Sequence, residues 1–149
     1  MNPSEWALLF HQSLIDQLDR LTAAADRTKV SNPKISHENA NVKLQAALAK
    51  LIFETVPSDP ARDEFRQGNT MGAEFRHWRR AKIGRRFRLF FRYDSRSKII
   101  VYAWVNDENT LRSSGSKRDP YAVFQKKLGG GNPPDEWDTL LSQSKNMPS

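Results

Sequence analysis

The sequence contains no cysteine, and its three histidines, His11, His37 and His77, stand far apart along 149 residues. The first absence excludes disulfides, thiolate metal sites and a cysteine nucleophile, and it suits a reducing cytoplasm. The scattered histidines lack metal-ligand spacing, so no metal and no cofactor is expected. No apolar run approaches the length of a membrane helix, because charges interrupt every candidate. The first residues lack the basic-then-apolar build of a secretory signal. Gly129-Gly130-Gly131 has no Lys-Ser or Lys-Thr after it, so it reads as a helix stop and not as a phosphate loop. Acid is in short supply: 17 Asp and Glu face 24 Lys and Arg, a net charge of +7. A surplus of this size favours a polyanionic partner, nucleic acid first.

Hydrophobic residues make up 38% of the chain, with 4 Trp and 8 Phe, enough for one real core. The length suits a single domain over residues 1–149, with 142–149 reading as a frayed tail. The apolar run at residues 6–10 is a first strand or a helix start. From Gln12, the residues Leu14, Ile15, Leu18, Leu21 and Ala25 recur at three- and four-residue spacing, predicting an amphipathic helix ending near Arg27. After Asn32-Pro33, the stripe Val42, Leu44, Leu48, Leu51, Ile52 and Val56 predicts a second helix. Ser36 or Asn39 caps it and Pro57 ends it. Gly68-Asn69 and Gly72 mark a polar loop. Aromatic and β-branched residues then predict strands over about 75–83, 86–93 and 98–106, joined by tight hairpins and therefore antiparallel. Asp119-Pro120 opens a helix that Gly129 stops, and a last short helix carries Trp137, Leu140 and Leu141. This order of helices, sheet and helices is that of an α+β domain.

Residues 76–98 hold ten of the 24 basic residues against one acid, Asp94. Strand alternation sends Phe87, Leu89, Phe91 and Tyr93 to one face, and Arg86, Arg88, Phe90 and Arg92 to the other. The first set is expected to pack on the two helices. The second is expected to form an open face for RNA, where arginine forks grip phosphate and Phe90 offers a stacking plane. Arg79, Arg80, Arg85, Arg86 and Arg92, with Lys117 on the 111–118 loop, complete the expected RNA-binding set. The plain alternative is a solvated outer face, although such faces usually mix Thr, Lys and Glu.

Trp78-Arg79-Arg80-Ala81-Lys82-Ile83-Gly84 and Phe87-Arg88-Leu89-Phe90-Phe91-Arg92-Tyr93 together resemble the central hairpin of the YhaV family of toxins. Trp104-Val105-Asn106-Asp107-Glu108-Asn109-Thr110-Leu111-Arg112 is similar to that family's hallmark segment. Asp119, Tyr121, Val123-Phe124, Pro133-Pro134 and Trp137 continue the likeness in order. The resemblance implies the RelE-like fold: an N-terminal strand and two helices packed on an antiparallel sheet, with short C-terminal helices. It also implies a type II toxin–antitoxin system in the cytoplasm. The toxin would be an endoribonuclease that cuts messenger RNA, free or on the ribosome, and so inhibits translation and growth. A PrlF-type antitoxin with an AbrB-like end would silence it, and operator DNA would be reached only through the paired complex.

RNA is cut without metal when its 2′-hydroxyl attacks the neighbouring phosphate; the enzyme aligns the attack, neutralises the phosphorane and manages two proton transfers. By resemblance, Arg88 is the phosphorane stabiliser and Lys82 the base or a second electrostatic clamp. Arg112 is the second catalytic arginine, and Tyr121 stacks on a base or passes a proton. Each has a plainer reading. Arg88 and Lys82 can be solvated strand charges, Arg112 can bridge to Asp107 or Glu108, and Tyr121 can be core. Asp107 and Glu108 are expected to support the loop and its neighbouring arginines, and His77 is a minor candidate for proton transfer. The rival function is a non-catalytic RNA- or ribosome-binding module that arrests translation by occupancy.

Overall fold

The computed structural model of the chain describes residues 5–34, 39–107 and 109–146. The candidate cap Ser36, together with His37 and Glu108, lies outside the described residues. Strand β1 (Ala7–His11) runs straight into helix α1 (Gln12–Ser31), with the His11 ring accepting from the Ser13 amide at 3.2 Å. The helix overruns Arg27 because Asn32-Pro33 is the first residue pair that disfavours it. Helix α2 (Ala40–Lys50) is capped by Asn39, whose Oδ1 accepts from the amides of Asn41 and Val42. It continues through a π-helical turn (Leu51–Thr55) into the short α3 (Val56–Ser58). Pro57 has no N–H for the carbonyl of Ile52 one π turn back; the buried Tyr102 hydroxyl donates to that carbonyl instead, at 2.7 Å. Burial pushes the Tyr102 phenol well above its usual pKa range.

The sheet has the order β2-β3-β4-β1-β5. Its hairpins join β2 (Arg79–Ile83), β3 (Phe87–Asp94) and β4 (Ile99–Val105) as antiparallel neighbours. Gly84, at a φ of +59°, supplies the left-handed residue of the first turn. Strand β1 pairs with β4 in parallel, the one parallel pair in this sheet, as its long helical crossover permits. After helices α4 (Pro120–Gly129) and α5 (Trp137–Ser142), residues Ser144–Lys145 form β5 against Phe10 and His11. That part of the expected frayed tail is instead paired, and the His11 ring lies 3.0 Å from the Gln143 side chain. Among the described residues no helix is long and apolar enough to cross a membrane.

The sheet is covered on both faces, which corrects the expectation of one open face. Leu14 and Ile15 of α1, Leu48 of α2 and Ile52 of the π-helical turn pack against Phe10, Leu89, Phe91, Ile100 and Tyr102 of the sheet. On the other face Phe124, Leu128 and Leu140 cover Trp78, Phe90, Val101 and Trp104. A bulge sets the phase between them: Phe90 faces Trp104 but Phe91 faces Tyr102, leaving Ala103 as the extra residue. Ala103 and Trp104 therefore both join the second core, while Val105 returns to the first. Phe90 is fully buried at its centre, stacked on Phe124 at 4.4 Å and on Trp104 at 5.9 Å, so it offers RNA no stacking plane. The Gly68–Gly72 stretch is also less free than a polar loop, since Met71 is fully buried and Gln67 donates to the carbonyl of Phe75 at 2.8 Å. Strand β2 begins at Arg79, four residues later than expected from Phe75, because Ala73–Phe75 form a 3-10 turn.

Phe90→Ala is expected to lower folding stability by about 3–5 kcal/mol, read by urea unfolding; a loss below about 1 kcal/mol would return the ring to an exposed face. The Glu136 carboxylate caps α5, and hydrogen bonds from the Thr139 hydroxyl and the Asp138 and Thr139 amides hold its pKa below the ordinary range. Its contribution to stability is then present above the unfolded pKa of about 4.3 and lost as pH falls through the lower folded value. Glu136→Gln should therefore flatten the acid limb of a melting-temperature profile; an unchanged limb would remove the cap from the account.

Candidate active site

Cross-strand pairing between β2 and β3 sets Arg80 opposite Phe90 and Lys82 opposite Arg88, so all four share the face that α4 covers. Helix α4 brings Tyr121 to that face in its first turn, its ring edge-on to Phe90 at 5.6 Å. The Tyr121 hydroxyl accepts from Arg80 Nε at 2.7 Å and from Arg88 Nε at 3.2 Å. Arg80 also donates to the carbonyl of Glu64 at 2.5 Å, and Arg88 to the carbonyl of Phe87 at 2.8 Å. Arg88 is only 6% exposed, yet no carboxylate pairs with its guanidinium among the described residues. A buried cation answered only by dipoles is costly, and such a group is suited to pairing with an anion.

Arg112 joins from the loop after β4. Its Nη1 donates to Asp119 Oδ1 at 2.5 Å and its guanidinium lies 4.9 Å from the centre of the Tyr121 ring. Asp119 is buried and does three things at once. It holds Arg112, accepts from the Ser113 amide at 2.8 Å, and caps α4 by accepting from the Tyr121 amide at 3.1 Å. Asn106, also buried, ties the same corner: its Oδ1 accepts from the Arg88 amide at 2.7 Å, and its Nδ2 donates to the carbonyls of Arg86 and Thr110. Arg112 thus pairs with Asp119 and not with Asp107. Asp107 folds its own loop, accepting from the Asn109 amide and the Thr110 hydroxyl.

Three of the four expected catalytic residues, Arg88, Arg112 and Tyr121, meet directly, and the exposed Lys82 stands beside Arg88 on the edge strand. Of the expected RNA-binding residues, Arg80 is part of the same cluster. Arg85 and Arg86 are exposed at the hairpin turn, and Lys117 is exposed on the loop. Arg79 lies over the Tyr93 ring at 5.8 Å, on the face of the first core. Arg92 is turned to structure: it sits between the Trp78 and Trp137 rings at 5.7 and 5.2 Å and donates to the Asp135 carbonyl at 2.5 Å. Desolvation pulls its pKa down against the opposing charges of Asp135 and Glu136. His77 is likewise drawn away, its Nε2 2.5 Å from Asp135. Asp119 and Asn106 were missed as site residues. The Asp119-Pro120 cap was legible, but nothing local indicated that the same carboxylate reaches Arg112. Among the described residues no group of three or more His, Cys, Asp or Glu is placed to hold a metal ion.

The YhaV toxin family, described as "Toxin with endonuclease activity, of toxin-antitoxin system", matches residues 8–145. Ribonuclease toxin YhaV of Escherichia coli strain K12 is 39% identical over 142 residues, covering 94% of this chain and 92% of that protein. Toxin YhaV of Escherichia coli O157:H7 is similar to the same extent, 39% over 142 residues. No solved structure matches the chain. The match takes in both halves of the cluster, the β2–β3 hairpin and the Arg112–Tyr121 segment, and the chain belongs to the YhaV family of toxins with endonuclease activity.

Proposed function

We propose that the chain acts as one toxin domain and cuts messenger RNA by metal-independent attack of the 2′-hydroxyl on the adjacent phosphorus, arresting translation. The observation that carries this reading is the Tyr121 hydroxyl shared by Arg80 and Arg88, with Arg88 buried and without a carboxylate among the described residues. Both lone pairs of that oxygen are occupied by guanidinium donors, so its own O–H is directed elsewhere and is available to a leaving oxygen. In the proposed step the 2′-oxygen bonds to phosphorus as its proton passes to a deprotonated Lys82 amine, or to solvent water where Lys82 acts as the clamp, and the P–O5′ bond breaks as Tyr121 protonates O5′. The products are a 2′,3′-cyclic phosphate and a 5′-hydroxyl. Arg88 and Arg80 stabilise the phosphorane charge, Arg112 supports the Tyr121 ring, and Lys82 serves as base or as a second clamp. Arg85, Arg86 and Lys117 bind flanking phosphates without sequence preference.

Family membership supports an antitoxin partner. We take it to be of the PrlF type with an AbrB-like DNA-binding end, acting in the cytoplasm and carrying the pair to operator DNA. The direct test is cleavage of a defined message by purified protein, with and without translating ribosomes and with chelator present. Discrete cuts are expected, lost when the 2′-hydroxyl at the cut is replaced by hydrogen. Tyr121→Phe, which keeps the packed ring, should slow cutting by about 10²-fold or more, and Arg88→Ala by about 10²–10³-fold. Cuts confined to translated message would establish ribosome dependence. Translation arrest over intact message would overturn the nuclease and leave a module that acts by occupancy.

A further inference from the structure

The cluster around Tyr121 has two sides of different electrical character. On the hydroxyl side Arg80 and Arg88 meet only dipoles among the described residues, and the exposed Lys82 stands beside them. On the other side Arg112 is neutralised by the buried Asp119 and lies over the Tyr121 ring at 4.9 Å. That second side opens into a cavity of about 360 Å³ between the 112–119 loop and α4, bounded by Thr70, Arg112, Ser114, Ser116, Tyr121 and Gln125. Tyr121, Ala122 and Gln125 all line it because they stand three and four positions apart on one helix face. Ala122 keeps that wall low, and Gly115, at a φ of +83°, carries the opposite rim through a left-handed turn.

The lining has a division of labour. Thr70 Oγ1 is committed to the Gln67 carbonyl at 3.0 Å, and Ser116 Oγ to the Arg118 amide at 3.1 Å. The Ser114 hydroxyl and the Gln125 amide are exposed and have no hydrogen-bond partner among the described residues. The cavity therefore offers one planar group, the Arg112 guanidinium that lies on the buried Tyr121 ring, with an uncommitted hydroxyl and an uncommitted amide on its walls. With Arg112 neutralised it lacks the net positive charge that would favour a phosphate. These are the requirements of a neutral planar heterocycle: stacking on a ring or guanidinium, and an edge read by hydrogen bonds.

The geometry points to a nucleobase-recognition subsite in this cavity, which takes the base of a nucleotide next to the scissile phosphate and gives cleavage its sequence preference. Gln125 reads the base edge, with one donor and one acceptor on the same amide, and Ser114 adds a second contact. The position of this base beside the cut rests on the nuclease reading, whereas the cavity's affinity for a base does not.

The test therefore has a binding arm and a cleavage arm. In the first, the four ribonucleoside monophosphates, as 3′ and then 5′ phosphates, are titrated into the full chain and followed by amide and side-chain NMR. Shifts are expected at the Gln125 side chain and at Ser114, larger for one base than for the other three, and reduced in Gln125→Ala. In the second, cut sites are mapped on an RNA pool of mixed sequence. Gln125→Ala should reduce the preference for the favoured base by about ten-fold while the protein still cuts. Base-selective shifts in a protein that cuts no RNA would sink the nuclease reading and support the subsite. The subsite is overturned if no nucleotide perturbs Gln125 or Ser114, or if the shifts are equal for all four bases. An unchanged map of cut sites in Gln125→Ala would overturn its role in sequence preference.

Discussion

Two arginines from neighbouring strands donate to one phenol oxygen, and that shared contact places demands on nearly every other part of the molecule. Arg80 and Arg88 reach Tyr121 only because β2 and β3 hold them on the same face. Tyr121 reaches them only because Phe124 and Leu128, further along α4, anchor the helix in a core built on Trp78, Phe90 and Trp104. Asp119 fixes where that helix begins, and Asn106 fixes where β3 stands relative to the loop that carries Arg112. The second core is thus the mount of the site, and its aromatic packing sets the position of a hydroxyl that no loop alone could hold so firmly.

The basic surplus resolves into groups with different fates. Arg112 is neutralised by Asp119, and Arg79 and Arg92 lie on aromatic rings. Arg80 and Arg88 are answered by a hydroxyl and by carbonyls, which orient a guanidinium without cancelling its charge. Arg85, Arg86, Lys82 and Lys117 face water. A polyanion arriving at this surface meets solvated cations first and the buried pair last, an order that suits electrostatic capture followed by local alignment.

Much of this was legible in the residues. The three central strands, the helix caps at Asn39 and Asp119 and the two amphipathic helices follow from period, capping and turn chemistry. The destination of Phe90 did not. Alternation divides a strand into two faces but does not say which face another element will cover, and α4 contributes too few apolar residues to announce itself as a lid. The bulge at Ala103 compounds this, because it moves Trp104 onto a face that strict alternation assigns to its neighbour. At the site, the resemblance of the hairpin and of the segment after β4 carried Arg88, Arg112 and Tyr121. The bridge from Arg112 to Asp119 closes across six intervening residues of irregular loop, where no periodicity exists to read. The aromatic seat of Arg92 is hidden for a related reason: its two tryptophan partners lie 14 residues before it and 45 after it in the sequence.

The account depends most directly on the contact at the Tyr121 oxygen. The guanidinium Nε–H resonances of Arg80 and Arg88, assigned by nitrogen-edited NMR in the wild-type chain and in Tyr121→Phe, measure it without reference to RNA. The account predicts two slowly exchanging resonances in the wild type, both shifted and exposed to faster exchange in Tyr121→Phe, while those of Arg85 and Arg86 stay where they are. Resonances of Arg80 and Arg88 that are indifferent to loss of the hydroxyl would contradict it.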